Sequence, residues 1–240
     1  MVKFFKKAGV LLRRGITLLF DRDYDQFVEG DSSISDRTYE YSYVISRLAA
    51  QKPGKLLDVG VVSGMCIPTQ TLCEMGFRVV GADLRKYPFR HPNYEHVLCD
   101  VVGSKLPYEE GHFDYACSIS VIEHIGLSTN YKGQAENAEG DFIAVKEMAR
   151  VLRKGGLLIL TTPFAGKEMR KNEMMRSYNY ERLECMLENA GLDAKEVKVV
   201  GLATNDDGRD FEEIPLSEAR ERQTNGKTTI MIALIKAVKR

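Results

Sequence analysis

The stretch LLDVGVVSG, Leu56 to Gly64, decides the fold. Its first half is a short apolar run, the pattern of a buried strand. Its second half is a glycine loop that leads towards a helix. In open α/β sheets, ligands sit beyond the carboxyl ends of the strands, beside such loops. A dinucleotide fingerprint requires three glycines in the order GxGxxG. Here only Gly60 and Gly64 are present, and Val62 holds the middle position. Taken alone the loop is a weak signal, and a plain strand-to-helix turn also explains it.

Downstream the pattern alternates. Short apolar runs predict strands at Lys55–Val59, Phe77–Asp83, His96–Asp100, Phe113–Ser118, Gly155–Thr162, Glu196–Gly201 and Thr228–Val238. Helical spacing falls between them, over Met65–Met75, from Asp141 as cap to about Arg153, and over Tyr180–Ala190, with Gly191 as a stop. Pro163 is read as closing the fifth strand, and Leu202 to Lys227 as a polar connection. Upstream, Ile34 to Ala50 reads as a helix with Ile34, Tyr41, Val44, Ile45 and Leu48 on one side. Alternating strands and helices imply a mostly parallel sheet covered on both faces. The expected organisation is an N-terminal helix and linker over residues 1–33, followed by one α/β domain over 34–240.

The bulk numbers narrow the function. With 240 residues the chain can bury a sizeable core, and 44% hydrophobic with 28% charged residues is ordinary for a globular protein. A net charge of zero argues against a general nucleic-acid binder. The five cysteines form no CxxC pair and no zinc spacing, which suits reduced thiols in a cytoplasmic protein. No apolar run reaches ~18 residues, so no membrane span is expected.

The charge is uneven. Lys3, Lys6, Lys7, Arg13 and Arg14 stand in residues 1–20 without an acid. On a helical wheel they share an arc of roughly 120°, opposite Phe4, Phe5, Leu11, Leu12, Ile16, Leu18 and Leu19. A basic amphipathic helix over residues 2–20 fits the inner face of a membrane; packing on the domain or on a partner protein are the alternatives.

Three acids then end three successive predicted strands: Asp58, Asp83 and Asp100. A pyrophosphate would be repelled by Asp58, whereas a ligand with an ammonium and a sulfonium would be attracted. Asp83 is placed to accept both ribose hydroxyls, and Asp100 to accept from an adenine amino group. Each acid singly is explained as a solvated strand end; the ordered set of three is harder to explain so.

On these residues the chain resembles the class I S-adenosylmethionine-dependent methyltransferases, over roughly Gly54 to Gly191. LLDVGVVSG is similar to that family's first motif and VVGADL to its second. LPYEEGHFDYACSISVIEHI, Leu106 to Ile125, is the most specific match, and RVLRKGGLLILTTPF is similar to its helix-glycine-strand motif. The resemblance implies a Rossmann-like seven-stranded sheet with the last strand antiparallel. It implies S-adenosylmethionine as cofactor, held by Asp58, Gly60, Gly64, Asp83, Leu84, Asp100, Val101 and Ser118. The departure is at Val61 and Val62, where the family has a small residue and glycine; stiff β-branched side chains there widen the loop or shift the cofactor.

Methyl transfer chiefly needs alignment of a nucleophile and exclusion of water. For a hydroxyl acceptor His124 is the candidate base, with Glu123 to orient it or to face the cofactor; the alternative for His124 is a structural histidine closing the strand. Ser120 stands where some quinone methyltransferases carry an acid, so no metal is expected. The polar insertion Gly126–Gly140 follows the Glu-His pair, and its length and position suit acceptor selection. Asn130 and Tyr131 are candidate acceptor contacts. Arg176, with Arg170 and Lys171, is a candidate for binding a carboxylate or phosphate, against a plain solvated basic surface.

The leading reading is O-methylation of a small-molecule, glycan or lipid-linked acceptor, the glycan suggestion resting on likeness to enzymes of cell-surface glycan assembly. The alternatives are a quinone or lipid methyltransferase at the membrane surface and a non-catalytic scaffold of the same fold.

Overall fold

The computed structural model describes residues 36–61, 67–127, 135–167, 169–171, 173–205, 208–222 and 231–240. The predicted N-terminal helix and linker therefore lie outside the described residues, as does Val62. Among the described residues no helix is long and apolar enough to cross a membrane.

The chain enters through helix α1, Asp36–Ala49. Strands β1 (Lys55–Val59), β2 (Arg78–Asp83) and β3 (Tyr94–Leu98) follow, with α2 (Ile67–Glu74) between the first two. Then come β4 (Phe113–Ile119), α3 (Gly140–Val151) and β5 (Leu152–Gly166). A short pair, β6 (Arg170–Lys171) and β7 (Arg176–Asn179), precedes α4 (Tyr180–Asn189). The chain ends with β8 (Leu192–Asn205), β9 (Gly208–Ile214), α5 (Leu216–Glu221) and β10 (Met231–Lys239). The sheet order is β3-β2-β1-β4-β5-β10-β8-β9, with β7 joined to the end of β5 and β6 to β7.

All seven expected strands are present. The central pairs run parallel, and β10 is antiparallel to both of its neighbours. The fold is thus the expected Rossmann-like one, with three strands more than the seven predicted. β9 lies inside the stretch read as polar connection: Phe211 and Ile214, three residues apart, are buried on opposite faces of the sheet with exposed acids between them, and β8 extends to pair with it. Pro163 does not close β5. β4 has ended at Ile119, opposite Thr161, so Pro163 has only Ile232 of β10 directly across from it, which a residue without an N–H tolerates.

The core lies in two layers. Leu57, Val59, Ala116, Leu158 and Leu160 face α3 and α4 on one side of the sheet. Leu56, Cys117, Leu157 and Ile159 face the other side, packed with Val44 and Leu48 of α1 and Leu72 of α2. Alternation along each strand produces this split, since successive side chains point to opposite faces. The buried stripe of α1 is Glu40, Tyr43, Val44 and Leu48. That differs from the predicted stripe by placing a carboxylate, Glu40, on the inner face and leaving Tyr41 and Ile45 half-buried.

Candidate active site

The parallel strands β1 to β4 end together, and a cleft opens there. The chain turns at Gly60, whose φ of +85° is in the left-handed region, and a Cβ there would lie 2.3 Å from Val121 Cγ2. Gly60 and Val121 both border the cleft, so glycine lets the β1 and β4 ends approach. The next residue, Val61, is buried against the bare Gly81: a Cβ at Gly81 would sit 3.0 Å from Val61 and 2.4 Å from Tyr94 Oη. The larger side chain at position 61 is thus accommodated by glycine on β2. Gly64 lies outside the described residues.

Asp83 and Leu84, from the end of β2, and Asp100 and Val101, after β3, share one wall of the cleft. The Asp83 carboxylate is fixed by the backbone N–H of Arg85 at 2.9 Å and its Nε at 3.2 Å, both to Oδ1. Asp100 accepts from Val102 N at 3.0 Å and from Ala135 N at 2.7 Å. Ala135 belongs to the insertion, so one carboxylate at the cleft also anchors the returning end of that loop. Cys99 and Arg85 border the same space and had no motif to mark them.

Asp58 and Ser118 belong to the sheet beneath the cleft and are not among its lining residues. Asp58 accepts from Thr69 Oγ1 of α2 at 2.5 Å, and burial raises its carboxyl to about 6. Ser118 donates to the Val59 carbonyl at 3.1 Å and is fully buried. Both were expected to contact the cofactor; in the structure Asp58 ties β1 to α2 and Ser118 ties β4 to β1, from opposite faces of the sheet.

His124 lies at the opposite end of the cleft, with Val121 and Ile125. Its Nδ1 donates to the Met174 carbonyl at 2.7 Å, which leaves Nε2 as the basic nitrogen of the neutral ring. Burial lowers its pKa below the ordinary 6.5, opposed by the Met174 carbonyl and reinforced by the charges of Arg37 and Arg176. Glu123 does not orient the ring: its Oε1 is 3.9 Å from Nε2, beyond hydrogen-bond reach. Glu123 is buried and accepts from Thr162 Oγ1 at 3.2 Å. Burial, aided by the like charge of Glu40, raises its carboxyl to about 8.

At the tip of β4, Ser120 joins Thr161, Glu40 and Arg37, the last two of which no motif marked. Ser120, at the tip of β4, is held at φ +47°, alone in that region among described non-glycine residues. Its N–H reaches Thr161 and its hydroxyl donates to Glu40 Oε1, which also accepts from Thr161 Oγ1 at 2.6 Å. Glu40 Oε2 takes Arg37 Nη1 at 2.9 Å. A charged residue at an apolar position of α1 was the signal that would have found Glu40.

The expected acceptor contacts fare differently. Asn130 and Tyr131 lie outside the described residues. Arg176 is fully buried, neither a surface cation nor an accessible ligand. Its guanidinium donates to the carbonyls of Ile125 at 2.7 Å and Ala138 at 2.9 Å, and stands 3.6 Å from Asp141. Asp141 is correspondingly no helix cap: Glu139 holds that position, and Asp141 binds Arg182 at 3.0 Å.

A family model described as a Caenorhabditis protein of unknown function, DUF268, matches residues 89–198. No curated protein matches the chain. Among solved structures the chain is similar to a Burkholderia thailandensis 1,6-didemethyltoxoflavin-N1-methyltransferase with bound S-adenosylhomocysteine, at TM-score 0.60 and 15% identity over 97% of this chain and 89% of that one. It is similar to a Haemonchus contortus phosphoethanolamine N-methyltransferase 2, at TM-score 0.57 and 17% identity over 90% of this chain and 56% of that one. It is also similar to the [4+2]-cyclase SpnF, at TM-score 0.58 and 17% identity over 88% and 84%. At such identities the likeness establishes the methyltransferase fold, and the cyclase shows that this fold hosts other reactions.

Proposed function

We propose that the chain is an S-adenosylmethionine-dependent methyltransferase that acts on a small-molecule, glycan or lipid-linked acceptor, with transfer to oxygen. The observation that carries the reading is the shared wall of Asp83, Leu84, Asp100 and Val101, facing an imidazole across one cleft. The residues fit the cofactor. Asp83 is positioned for ribose hydroxyls, Leu84 and Val101 for the faces of an adenine, and Asp100 for its amino group. Bound there, the cofactor supplies an activated methyl group with a neutral leaving group.

The chain's own residues align the acceptor, exclude water and take the proton. His124 is suited to the last task. Its Nδ1–H is fixed on the Met174 carbonyl, its Nε2 carries the lone pair, and its lowered pKa keeps it neutral at pH 7. A hydroxyl within reach of Nε2 can pass its proton there as the oxygen attacks. Glu123 keeps its own proton at neutral pH, so it is a hydrogen-bond donor towards the same region, not a competing base. Residues 2–20 would bring the enzyme to anionic lipid if the acceptor is lipid-linked.

The test is calorimetric titration with S-adenosylhomocysteine and with NAD, followed by incubation with methyl-labelled cofactor and fractionated extract. The expected result is binding of the sulfur ligand alone and transfer of label to an extract component. No binding at millimolar ligand would overturn the methyltransferase reading and favour the scaffold; binding without any labelled product would count against an acceptor in that extract.

A further inference from the structure

We propose that Arg37 reads an anionic group on the methyl acceptor: the Nε–Nη2 edge of its guanidinium takes two oxygens of a carboxylate or a phosphate. The proposal rests on the methyltransferase reading and deepens it, because it names the chemistry of the acceptor.

Arg37 lies in the first turn of α1. It is not an ordinary surface cation, since its position is fixed to the strand ends through Glu40. Glu40 is fully buried and bonded to the hydroxyls of Ser120, at the tip of β4, and of Thr161 on β5. Its second oxygen holds Arg37 Nη1 at 2.9 Å. The arginine is therefore carried on a rigid chain of bonds from the segment that runs on to Glu123 and His124. Ser120 stands directly before Val121, which lines the cleft together with His124, so these bonds bring Arg37 to that end of the cleft.

Only one corner of the guanidinium is used by Glu40. The side-on edge, Nε with Nη2, has no hydrogen-bond partner among the described residues, and the side chain is 35% exposed. That edge is the one whose two parallel N–H groups match two oxygens of a carboxylate or phosphate. The acids around Arg37 do not fill it. Asp36 Oδ1 is used by the backbone N–H of Arg37 at 2.8 Å, Glu40 is shared among three donors, and Glu123 is protonated at neutral pH. The cation first expected in this role, Arg176, is committed to backbone carbonyls.

The experiment uses the full chain, 15N-labelled and saturated with S-adenosylhomocysteine. Sodium phosphate, and separately sodium acetate, is titrated against sodium chloride at constant ionic strength while arginine Nε–H resonances are followed. The Arg37 resonance is identified by its absence in Arg37→Lys. We expect that resonance to move with phosphate, acetate or both, and affinity to fall by about tenfold in Arg37→Lys, which keeps a charge beside Glu40 but lacks the two-donor edge. Where Arg37→Lys does not fold, Arg37→Gln/Glu40→Gln removes both charges of the pair together and serves as the comparison. An Arg37 resonance unmoved by either anion, or equal affinity in the variant, overturns the proposal. A stronger response to phosphate marks a phosphate-bearing acceptor, and the reverse a carboxylate. Failure of S-adenosylhomocysteine to bind sinks the methyltransferase reading instead, and it is measured before any anion is added.

Discussion

The acids at the cleft divide by role once their partners are known. Asp83 borders the cleft, and under the proposed function it would offer a charged acceptor to ribose hydroxyls, each such bond contributing about 1.5–3 kcal/mol. Asp83→Ala is expected to weaken S-adenosylhomocysteine binding tenfold or more, by about the same energy. Asp100→Ala is expected to weaken it less, and to loosen the insertion as well, because Asp100 also holds Ala135 N. Calorimetry and proteolysis of the loop read the two effects; equal losses of affinity would show that the ribose reading of Asp83 is wrong. Glu123 gives a prediction of opposite sign. Its carboxyl titrates at about 8 in the folded protein against 4.5 ordinarily. Between those values the folded chain holds a proton that the unfolded chain has released, so stability falls as pH rises through that window. Each pKa unit is worth about 1.4 kcal/mol, so the loss amounts to a few kcal/mol by pH 8. Glu123→Gln should abolish most of it: urea unfolding at pH 5 and at pH 8.5 should show the variant gaining on the wild type at the higher pH. Parallel curves would mean that the carboxyl is not buried as described. His124→Ala should leave cofactor affinity unchanged and lower turnover, and in the wild type the acid limb of activity should lie below pH 6.5, since burial lowers the imidazole.

At the level of elements, the segment after β4 is held from behind. Arg176 of β7 reaches the carbonyls of Ile125, just before the insertion, and Ala138, near its end, and pairs with Asp141 at the start of α3. Arg176→Ala leaves those buried carbonyls without their donor, while Asp141 keeps Arg182 as its cation. Leaving buried acceptors unpaired costs about 1–3 kcal/mol each, readable as a lower urea midpoint with an unchanged slope. Gly126 closes the same turn from the front. Its φ is +81°, and a Cβ there would lie 2.1 Å from the Asn137 carbonyl oxygen. Gly126→Ala should therefore destabilise the insertion's base although it touches no ligand. A variant as stable as the wild type would show that the two ends of the insertion are not in contact.

At the scale of the molecule, the sheet order puts β1 beside β4 and reverses direction there, so the cleft forms where the helices leave on opposite faces. The N-terminal segment gives a test at this scale. Its basic amphipathic pattern predicts salt-sensitive cosedimentation of the full chain with anionic liposomes, and loss of it in a chain starting at Asp21, with about 1 kcal/mol per cation near the surface. If both stay in the supernatant at low salt, the membrane reading is excluded.

The sequence by itself determined the seven core strands, because apolar runs and turn residues are local signals, and the family resemblance implied the antiparallel last strand; of the three acids, Asp58 lies in β1, Asp83 ends β2 and Asp100 follows β3 by two residues. It also pointed to His124, which a motif marks. What the tertiary structure decided depends on facing directions and on residues far apart in the chain. Asp58 is tied to Thr69 of α2 and Ser118 to the Val59 carbonyl, while Asp83 and Asp100 border the cleft. Arg176 looks like a surface cation in sequence, and only the packing of β7 behind the insertion makes it a buried clamp. Glu40 meets Ser120 and Thr161 across separations of 80 and 121 residues. No local pattern encodes such a contact, because the free energy that ionises, buries and aims these groups comes from neighbours that only folding supplies.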